Sequence, residues 1–198
     1  MRYLLLVLLF LLVSWRDLNE RIPQINRNLS SYEMRKKSRV DNFDFSGEFE
    51  NLDKIDIDGK KLKEVKINLT GNYPILESIT YESSFGELDI YLTGKFTSLR
   101  DVNFICGSTA VNLDASGLFE KSCILTICSK EDIHIRLPEN VSVVVNTRTV
   151  TGKVKTSTLK KKGWGILNRT YINSLYNEDE LPHLTLNVET TSGTIIIN

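Results

Sequence analysis

Small residues recur at a nearly constant spacing from residue 84 onward, and each occurrence opens a short run of alternating apolar and polar side chains. Gly86, Gly107 and Gly152 mark three of these positions, with Ser129-Lys130 between the last two, so the spacing is 21 to 23 residues. Gly193 repeats the pattern 41 residues after Gly152. A period in the twenties is typical of stacked units that share one continuous core. The sequence therefore predicts a ladder of β rungs with these glycines at its turns.

Alternation between apolar and polar residues predicts half-buried strands throughout the body. Leu88, Ile90 and Leu92 are expected to face the core, while His134 and Arg136 are expected to face solvent. No stretch after residue 42 has a helical period longer than two turns. The predicted fold class is all-β, with stacked short strands in a solenoid-like ladder, preceded by one N-terminal hydrophobic helix.

Three local patterns carry more specific expectations. Asp58-Gly59 is a dipeptide typical of tight turns, and it predicts a hairpin between strands 54–57 and 63–69. Residues 123–128 are apolar at nearly every position, which predicts a strand covered on both faces. The terminal strand Thr194–Ile197 is expected to leave an open edge, at which a second copy of the chain can pair to form a homo-oligomer.

The amino terminus is strongly apolar, since residues 3–15 carry no charge before Arg16. As a helix this segment is about 20 Å long, shorter than the roughly 20 residues of a full membrane span. Two readings stay open: a retained anchor with Trp15 at the interface, or a signal peptide with a poor cleavage pattern. The anchor fits better. The chain then divides into residues 1–15 (hydrophobic membrane anchor or signal segment), 16–42 (charged linker) and 43–198 (β-ladder domain).

Charge is distributed unevenly along the chain. Residues 1–39 carry eight basic and three acidic side chains, and the remainder holds 17 basic and 22 acidic ones. A mildly acidic body argues against a nucleic-acid partner, which requires a positive face on the folded part. The basic leader instead predicts contact with membrane lipid through residues 1–15 and a single-pass location at the cell membrane. Arginines after the anchor favour a cytoplasmic body, whereas four Asn-x-Ser/Thr sites would matter outside, so the sidedness stays open.

A basic segment with a glycine-flanked tryptophan lies near the carboxyl end. Lys160, Lys161 and Lys162 precede Trp164, and no acidic residue lies among them. Indole rings suit the membrane interface and lysines attract anionic lipid, so these four residues are a candidate membrane or partner contact. The alternative is a solvated loop whose tryptophan folds back over the end of a rung.

No arrangement of catalytic side chains is recognisable. His134 and His183 have no nucleophile motif beside them, and the carboxylates Glu87 and Asp89 are typical of any solvated strand. The three cysteines lack the spacing of a zinc site and lie in apolar runs, so we expect buried thiols. The expectation is a protein that is not an enzyme and needs no metal or cofactor.

Four runs in fixed order resemble a known family: a Gly-acidic-hydrophobic turn, a Gly-x-x-x-hydrophobic-x-Leu strand, a hydrophobic-Pro-x-x-Val corner and a last Gly-x-Ile strand. They lie within residues 81–90, 107–114, 133–143 and 192–195. Residues 75–198 thereby resemble the carboxyl-terminal domain of LiaF-like proteins, the cell-wall-active antibiotics response family with the toastrack fold. The resemblance implies a non-enzymatic, membrane-tethered β-ladder in envelope-stress signalling, typically one that restrains a sensor kinase. The chain departs from that family in its single short hydrophobic segment and in lacking a glycine at Ser129-Lys130.

The expected function is therefore a membrane-anchored interaction or regulatory module that binds an unidentified protein partner. The alternative is a secreted or surface-displayed β-solenoid that binds or processes carbohydrate. That alternative requires cleavage of the chain near Ser14.

Overall fold

The computed structural model describes residues 31–35, 40–177, 179–180 and 183–198, and every helix or strand element in these ranges is a β-strand. The strands in chain order are β1 (Ser31–Arg35), β2 (Val40–Asp44), β3 (Lys54–Asp58), β4 (Glu64–Leu69), β5 (Asn72–Tyr73), β6 (Ser78–Leu92), β7 (Lys95–Phe96), β8 (Asp101–Asp114), β9 (Leu118–Phe119), β10 (Cys123–Ser129), β11 (Ile133–Arg136), β12 (Val143–Thr149), β13 (Lys153–Thr156), β14 (Lys160–Lys162), β15 (Asn168–Ile172), β16 (Leu184–Thr190) and β17 (Thr194–Ile197). The predicted all-β class is confirmed for this part of the chain. The predicted N-terminal helix, with its anchor at residues 1–15, lies outside the described residues.

Fourteen strands form one large mixed sheet, and three form a small second sheet. Series A of the large sheet runs β1-β3-β6-β8-β10-β16-β12-β15-β14, and series B consists of β2, β4, β6, β8, β11, β17 and β13. The long strands β6 and β8 belong to both series, because their first and second halves pair with different neighbours. The small sheet is β5-β7-β9.

Parallel register repeats at a constant offset through the first half of series A. Ser31 pairs with Lys54, Lys54 with Ser78, Ser78 with Asp101, and Asp101 with Ile124. The chain thus returns to the same position in the sheet every 23 or 24 residues. Only β15 is antiparallel to its neighbours β12 and β14 among the described strand pairs.

The predicted hairpin at Asp58-Gly59 is wrong. Strands β3 and β4 do not pair with each other, since both pair in parallel with β6. Gly59 instead lies against the next rung, where its amide donates to the carbonyl oxygen of Glu82 at 2.7 Å. A Cβ at this position would lie 2.5 Å from the ring of Tyr81, so the glycine is explained by packing rather than by hairpin geometry.

Gly86 and Gly107 lie inside strands rather than at turns between them, which corrects the sequence prediction. Tyr81 and Ser83 are buried before Gly86, and Leu88 is buried after it, so the inward alternation changes phase within β6. Strand β8 changes phase in the same way around Gly107. The reason is that hydrogen bonding to the neighbouring strand continues through the bend, and only the direction of the side chains changes.

The core lies between the two series and the small sheet. Most inward positions are occupied in register by apolar residues from successive rungs, and a few by buried hydroxyl residues such as Thr147 and Thr190. In series A one such column contains Ile55, Ile79, Val102, Leu125, Leu186 and Val145, all of them buried. A column of stacked aromatic rings from Phe49, Tyr73, Phe96 and Phe119 lies along the small sheet. With the two series on the other sides, this column forms the third side of the core. Burial of this apolar area provides the main driving force for the fold.

The last rung of the chain lies between two earlier ones. Strand β16 pairs with β10 on one side and with β12 on the other, and β17 pairs with β11 and β13. The predicted open edge at Thr194–Ile197 is therefore absent, because both edges of this strand are already hydrogen-bonded. Homo-oligomerisation itself stays a prediction, but it requires another edge.

Two further expectations differ from the structure. Strand β10 is covered on one face only, because Ile124 is 49 % exposed while Leu125 and Ile127 are buried. On the other face of β10, the residues in register on the neighbouring strands are mostly polar, such as Asn103 on β8 and Asn187 on β16. The sheet also extends into residues 16–42, predicted as a linker, since β1 pairs with β3 and β2 pairs with β4.

No helix among the described residues is long and apolar enough to cross a bilayer.

Candidate binding surfaces

The hairpin of β14 and β15 carries the lysine and tryptophan residues singled out in the sequence. Lys160 pairs with Ile172 and Lys162 with Thr170, so the two strands run antiparallel and end at a tip formed by residues 163–167. Gly163 has a φ of 81°, a left-handed conformation that glycine adopts without steric cost. The local sequence therefore explains the turn that presents Trp164.

Large apolar side chains at the tip are exposed to solvent. Trp164 is 98 % exposed, Ile166 81 % and Leu167 56 %. The tryptophan does not fold back over a rung. The amide of Thr149 donates to the carbonyl oxygen of Leu167 at 3.4 Å, which ties the base of the tip to the end of β12. Sequence patterns did not identify Ile166 and Leu167 as contact residues. Their position directly after Gly165 is the one signal for them in the sequence.

Cationic side chains hold the backbone of the tip. Lys161 Nζ donates to the carbonyl oxygen of Gly165 at 3.2 Å, and Arg169 Nε donates to that of Ile166 at 3.1 Å. Lys162 Nζ lies 4.9 Å from the centroid of the Tyr176 ring, within the range of a cation–π contact. These contacts fix the backbone while the apolar side chains remain outside.

The surroundings of the hairpin are basic. Residues 140–177 contain no Asp or Glu, although they contain five lysines and two arginines. Lys153 and Lys155 on β13 and Lys160–Lys162 on β14 are all exposed. Arg148 lies 3.7 Å from Glu189 on the neighbouring strand, and this pair stands at the boundary of the basic region. The hairpin therefore combines an apolar tip with a positive flank.

A second surface is the outward face of series A, where uncharged polar residues lie in register. We call this the polar row; its members are Thr80, Asn103, Thr126, Asn187, Asn146 and Thr170. Asn146 Nδ2 donates to Asn187 Oδ1 at 3.1 Å, and Thr170 Oγ1 donates to Asn146 Oδ1 at 3.0 Å. Part of the row lines a shallow depression of 340 Å³ that also includes Cys128 and Arg148. Such amides and hydroxyls can hydrogen-bond a neutral polar ligand.

The thiols do not resemble activated nucleophiles. Cys106, Cys123 and Cys128 are free. Burial raises the pKa of Cys106 to about 11 and that of Cys123 to about 12. Burial, followed by the nearby Glu189 charge, also raises the pKa of Cys128. Because the thiolate is the reactive form, all three are poor nucleophiles near neutral pH.

The two histidines lie apart. His134 is exposed on the outer face of series B, where it pairs in register with Asn112. His183 is exposed too; its Nδ1 lies 3.5 Å from Ser142 Oγ, and the same oxygen accepts the backbone amide of His183 at 3.0 Å. Among the described residues no carboxylate bonds the His183 ring. Ser142 therefore caps the start of β16, and within the described ranges no acid orients this histidine as in a catalytic triad.

Glu87 and Asp89 lie on series B, where Asp89 Oδ1 accepts a hydrogen bond from Asn112 Nδ2 at 2.8 Å. In the part of the chain that the structure describes, no three His, Cys, Asp or Glu side chains converge in a way that could hold a metal ion. The expectation of a chain without metal or cofactor stays a prediction.

The four glycines predicted at turns all lie where successive rungs approach closely. A Cβ on Gly86 would lie 2.0 Å from the carbonyl oxygen of Lys63, and one on Gly107 would lie 2.2 Å from that of Ser84. At Gly152 and Gly193, which lie between strands, the corresponding distances to backbone oxygens are 1.9 and 2.1 Å. Their positions serve the packing of the sheet rather than ligand binding.

Comparison with known proteins gives one structural neighbour and no family. No protein-family model matches the chain, and a search of curated proteins found no match. The chain is similar to the crystal structure of a "putative cell adhesion protein" from Clostridium sporogenes, with a TM-score of 0.52 and 20 % sequence identity. The match covers 64 % of this chain and 57 % of that one. This similarity shows a shared all-β sheet fold, and the comparisons contain no match to the LiaF-like family.

Proposed function

We propose that this protein is a non-enzymatic interaction or regulatory module, held at a cell membrane by residues 1–15. The parallel strand pairs of series A, which repeat every 23 or 24 residues, carry the proposal. That register supports a solenoid-like, toastrack-type ladder, in which the interior is filled by side chains and the outer faces remain free for a partner. The resemblance to LiaF-like domains adds envelope-stress signalling as the expected setting.

Outer faces of this kind suit protein binding better than catalysis. Flat rows of side chains such as Asp56, Thr80 and Asn103 repeat at the spacing of neighbouring strands, about 4.8 Å. They offer many contacts over a large area, whereas an enzyme site needs a few groups that converge in a cleft. A partner that lies across several rungs would bury such a surface.

Deletion of residues 1–15 tests the membrane location. The full chain is expected in the membrane fraction, and the deleted chain is expected in the soluble fraction with an unchanged far-ultraviolet circular dichroism spectrum. A deleted chain that stays with membranes would contradict residues 1–15 as the sole membrane attachment. A second deletion variant in which Lys160, Lys161 and Lys162 are replaced by Glu would then show whether the basic hairpin holds the protein there.

A second candidate function is a secreted or surface-displayed β-solenoid that binds or processes carbohydrate. The polar row favours it, because amide and hydroxyl groups such as those of Asn146 and Asn187 complement sugar hydroxyls. The similar structure from Clostridium sporogenes is described as that of a "putative cell adhesion protein". Binding to a glycan array that is lost in Asn146→Ala and Asn187→Ala would support this candidate. Activity on a sugar that is lost in Glu87→Gln or Asp89→Asn would identify processing.

A further inference from the structure

We infer that the hairpin tip, residues 163–167, is a second membrane contact that places Trp164, Ile166 and Leu167 among the headgroups of an anionic bilayer. The inference rests on the proposed function for the presence of a membrane nearby. It adds a second contact at the end of series A farthest from β1. It also specifies that the lipid surface is negatively charged.

The exposed side chains at the tip are the first observation. Three large apolar residues lie within four positions, and each is more than half exposed. The tip backbone is held by Lys161 and Arg169, so these side chains are displayed on an ordered turn. An indole prefers the interface between water and hydrocarbon, and an aliphatic side chain gains by leaving water. The tip therefore has the composition of a shallow insertion loop.

The positive flank is the second observation, and it selects the kind of surface. Lys160, Lys161 and Lys162 come directly before the tip, and no acidic residue occurs between residues 140 and 177. Clustered lysines next to an apolar segment are attracted to anionic headgroups, whose surface potential acts over about a Debye length. A protein partner of equal charge complementarity would need an acidic groove deep enough for an indole. We therefore favour lipid.

The position of the hairpin in the sheet is the third observation. Series A contains nine strands from β1 to β14, so its ends are separated by about 38 Å at 4.8 Å per step. Residues 16–30 follow the proposed anchor and can span at most about 50 Å when fully extended. Both ends of the ladder can thus reach one bilayer. Simultaneous contact would lay the ladder along the membrane and leave one outer face toward the solvent.

Trp15 and Trp164 are the only tryptophans in the sequence, which allows each contact to be measured separately. We would reconstitute the full chain as Trp15→Phe, which reports on Trp164, and as Trp164→Phe, which reports on Trp15. The vesicles contain phosphatidylglycerol and phosphatidylcholine brominated on its acyl chains, which quenches tryptophan fluorescence on contact. Vesicles without phosphatidylglycerol serve as the uncharged comparison.

Quenching and a blue shift of Trp164 in the anionic vesicles are expected, with weaker quenching in the uncharged ones. Replacement of Lys160, Lys161 and Lys162 by Glu should reduce Trp164 quenching to the level of the uncharged vesicles. The matched control replaces three other exposed lysines, Lys61, Lys63 and Lys121, by Glu and should leave it unchanged.

The two reporters separate the outcomes. Quenched Trp15 with unquenched Trp164 overturns the hairpin inference, supports the anchor and leaves a protein as the occupant of the tip. Quenched Trp164 with unquenched Trp15 overturns the anchor and supports the hairpin contact. Trp164 quenching that is the same in uncharged vesicles, or that survives the lysine replacements, overturns the charge-selective part of the inference. A chain in which neither tryptophan is quenched contradicts both.

Discussion

The ring of Tyr73 lies parallel to the ring of Phe96, with 5.1 Å between the centroids and 8° between the planes. Phe49 and Phe119 continue this column at 5.6 and 5.3 Å. The strands on this side of the body are only two residues long, so few backbone hydrogen bonds connect successive rungs there. Stacked rings therefore provide much of the cohesion on the third side of the core.

Loss of one ring from the aromatic column should destabilise the whole body. Phe96→Ala is expected to lower the free energy of unfolding by about 3–5 kcal/mol, because the cavity opens between two buried rings. Phe85→Ala makes the same substitution at a side chain that is 43 % exposed, and a much smaller loss is expected. Urea unfolding followed by circular dichroism measures both. Equal losses would show that the column does not stabilise the fold.

Replacement of glycine by alanine should destabilise the protein most where successive rungs approach each other closely. Gly107→Ala introduces a Cβ 2.2 Å from the carbonyl oxygen of Ser84, so neighbouring rungs must separate. Gly163→Ala meets no atom within 4 Å and costs only the left-handed conformation, about 1–2 kcal/mol. Gly86→Ala combines both penalties. The thermal midpoint should fall least for Gly163→Ala and most for Gly86→Ala, and a reversed order would contradict the close packing of rungs.

Local alternation made the strands and their inward faces predictable. Leu88, Ile90 and Leu92 are buried, and His134 and Arg136 are exposed, as expected from a period of two. Alternation does not say which strands pair. Asp58-Gly59 has the composition of a hairpin turn, and only the position of Tyr81 from the next rung shows why the glycine is needed there.

Long-range features were beyond local sequence patterns. The aromatic column was missed because Tyr73, Phe96 and Phe119 lie in strands of two residues, too short to show any period, and Phe49 lies outside the strands. The insertion of β16 between β10 and β12 was missed because all three strands alternate in the same way, so their sequences fit several orders. Of the candidate contact, Lys160–Lys162 and Trp164 were identified, whereas exposure of Ile166 depends on the hairpin itself.

The buried thiols should react in an order set by burial. Cys128 is half-buried, while Cys106 and Cys123 are buried. Alkylation of the native protein at pH 8 is expected to modify Cys128 first and Cys123 last, and unfolding in urea should make the three rates similar. Peptide mass spectrometry gives the order. Rapid modification of native Cys123 would contradict its place in the core.

The same thiols should make stability fall at high pH. Burial raises the pKa of Cys106 from 9.0 to about 11 and that of Cys123 to about 12, so the unfolded chain loses these protons first. Their stabilising contribution is complete below pH 9 and is lost as the pH rises toward the folded-state values. Cys123→Ala should show a shallower loss of unfolding free energy above pH 9 than the unaltered chain. Parallel curves would contradict the assigned burial effect.

Lysines on the last strand of series B should keep the ladder from pairing with another copy. Strand β13 pairs with β17 on one side, and its outer edge carries the exposed Lys153 and Lys155. Lys153→Thr combined with Lys155→Thr is expected to promote association, because charged edge residues oppose strand addition. Sedimentation velocity at several concentrations measures the change. Lys121→Thr with Lys130→Thr, both outside strands, is the control, and association of the control alone would contradict the edge assignment.

The mass of the mature protein is the most direct test of the account. The chain would be purified separately from the membrane, soluble and secreted fractions of the cells that produce it naturally, and its intact mass and amino-terminal peptide would be determined in each fraction. A membrane-anchored module predicts a protein that retains residues 1–15. A mature chain that begins at or after Ser14, recovered outside the membrane fraction, would contradict the anchored function and favour a secreted binding protein.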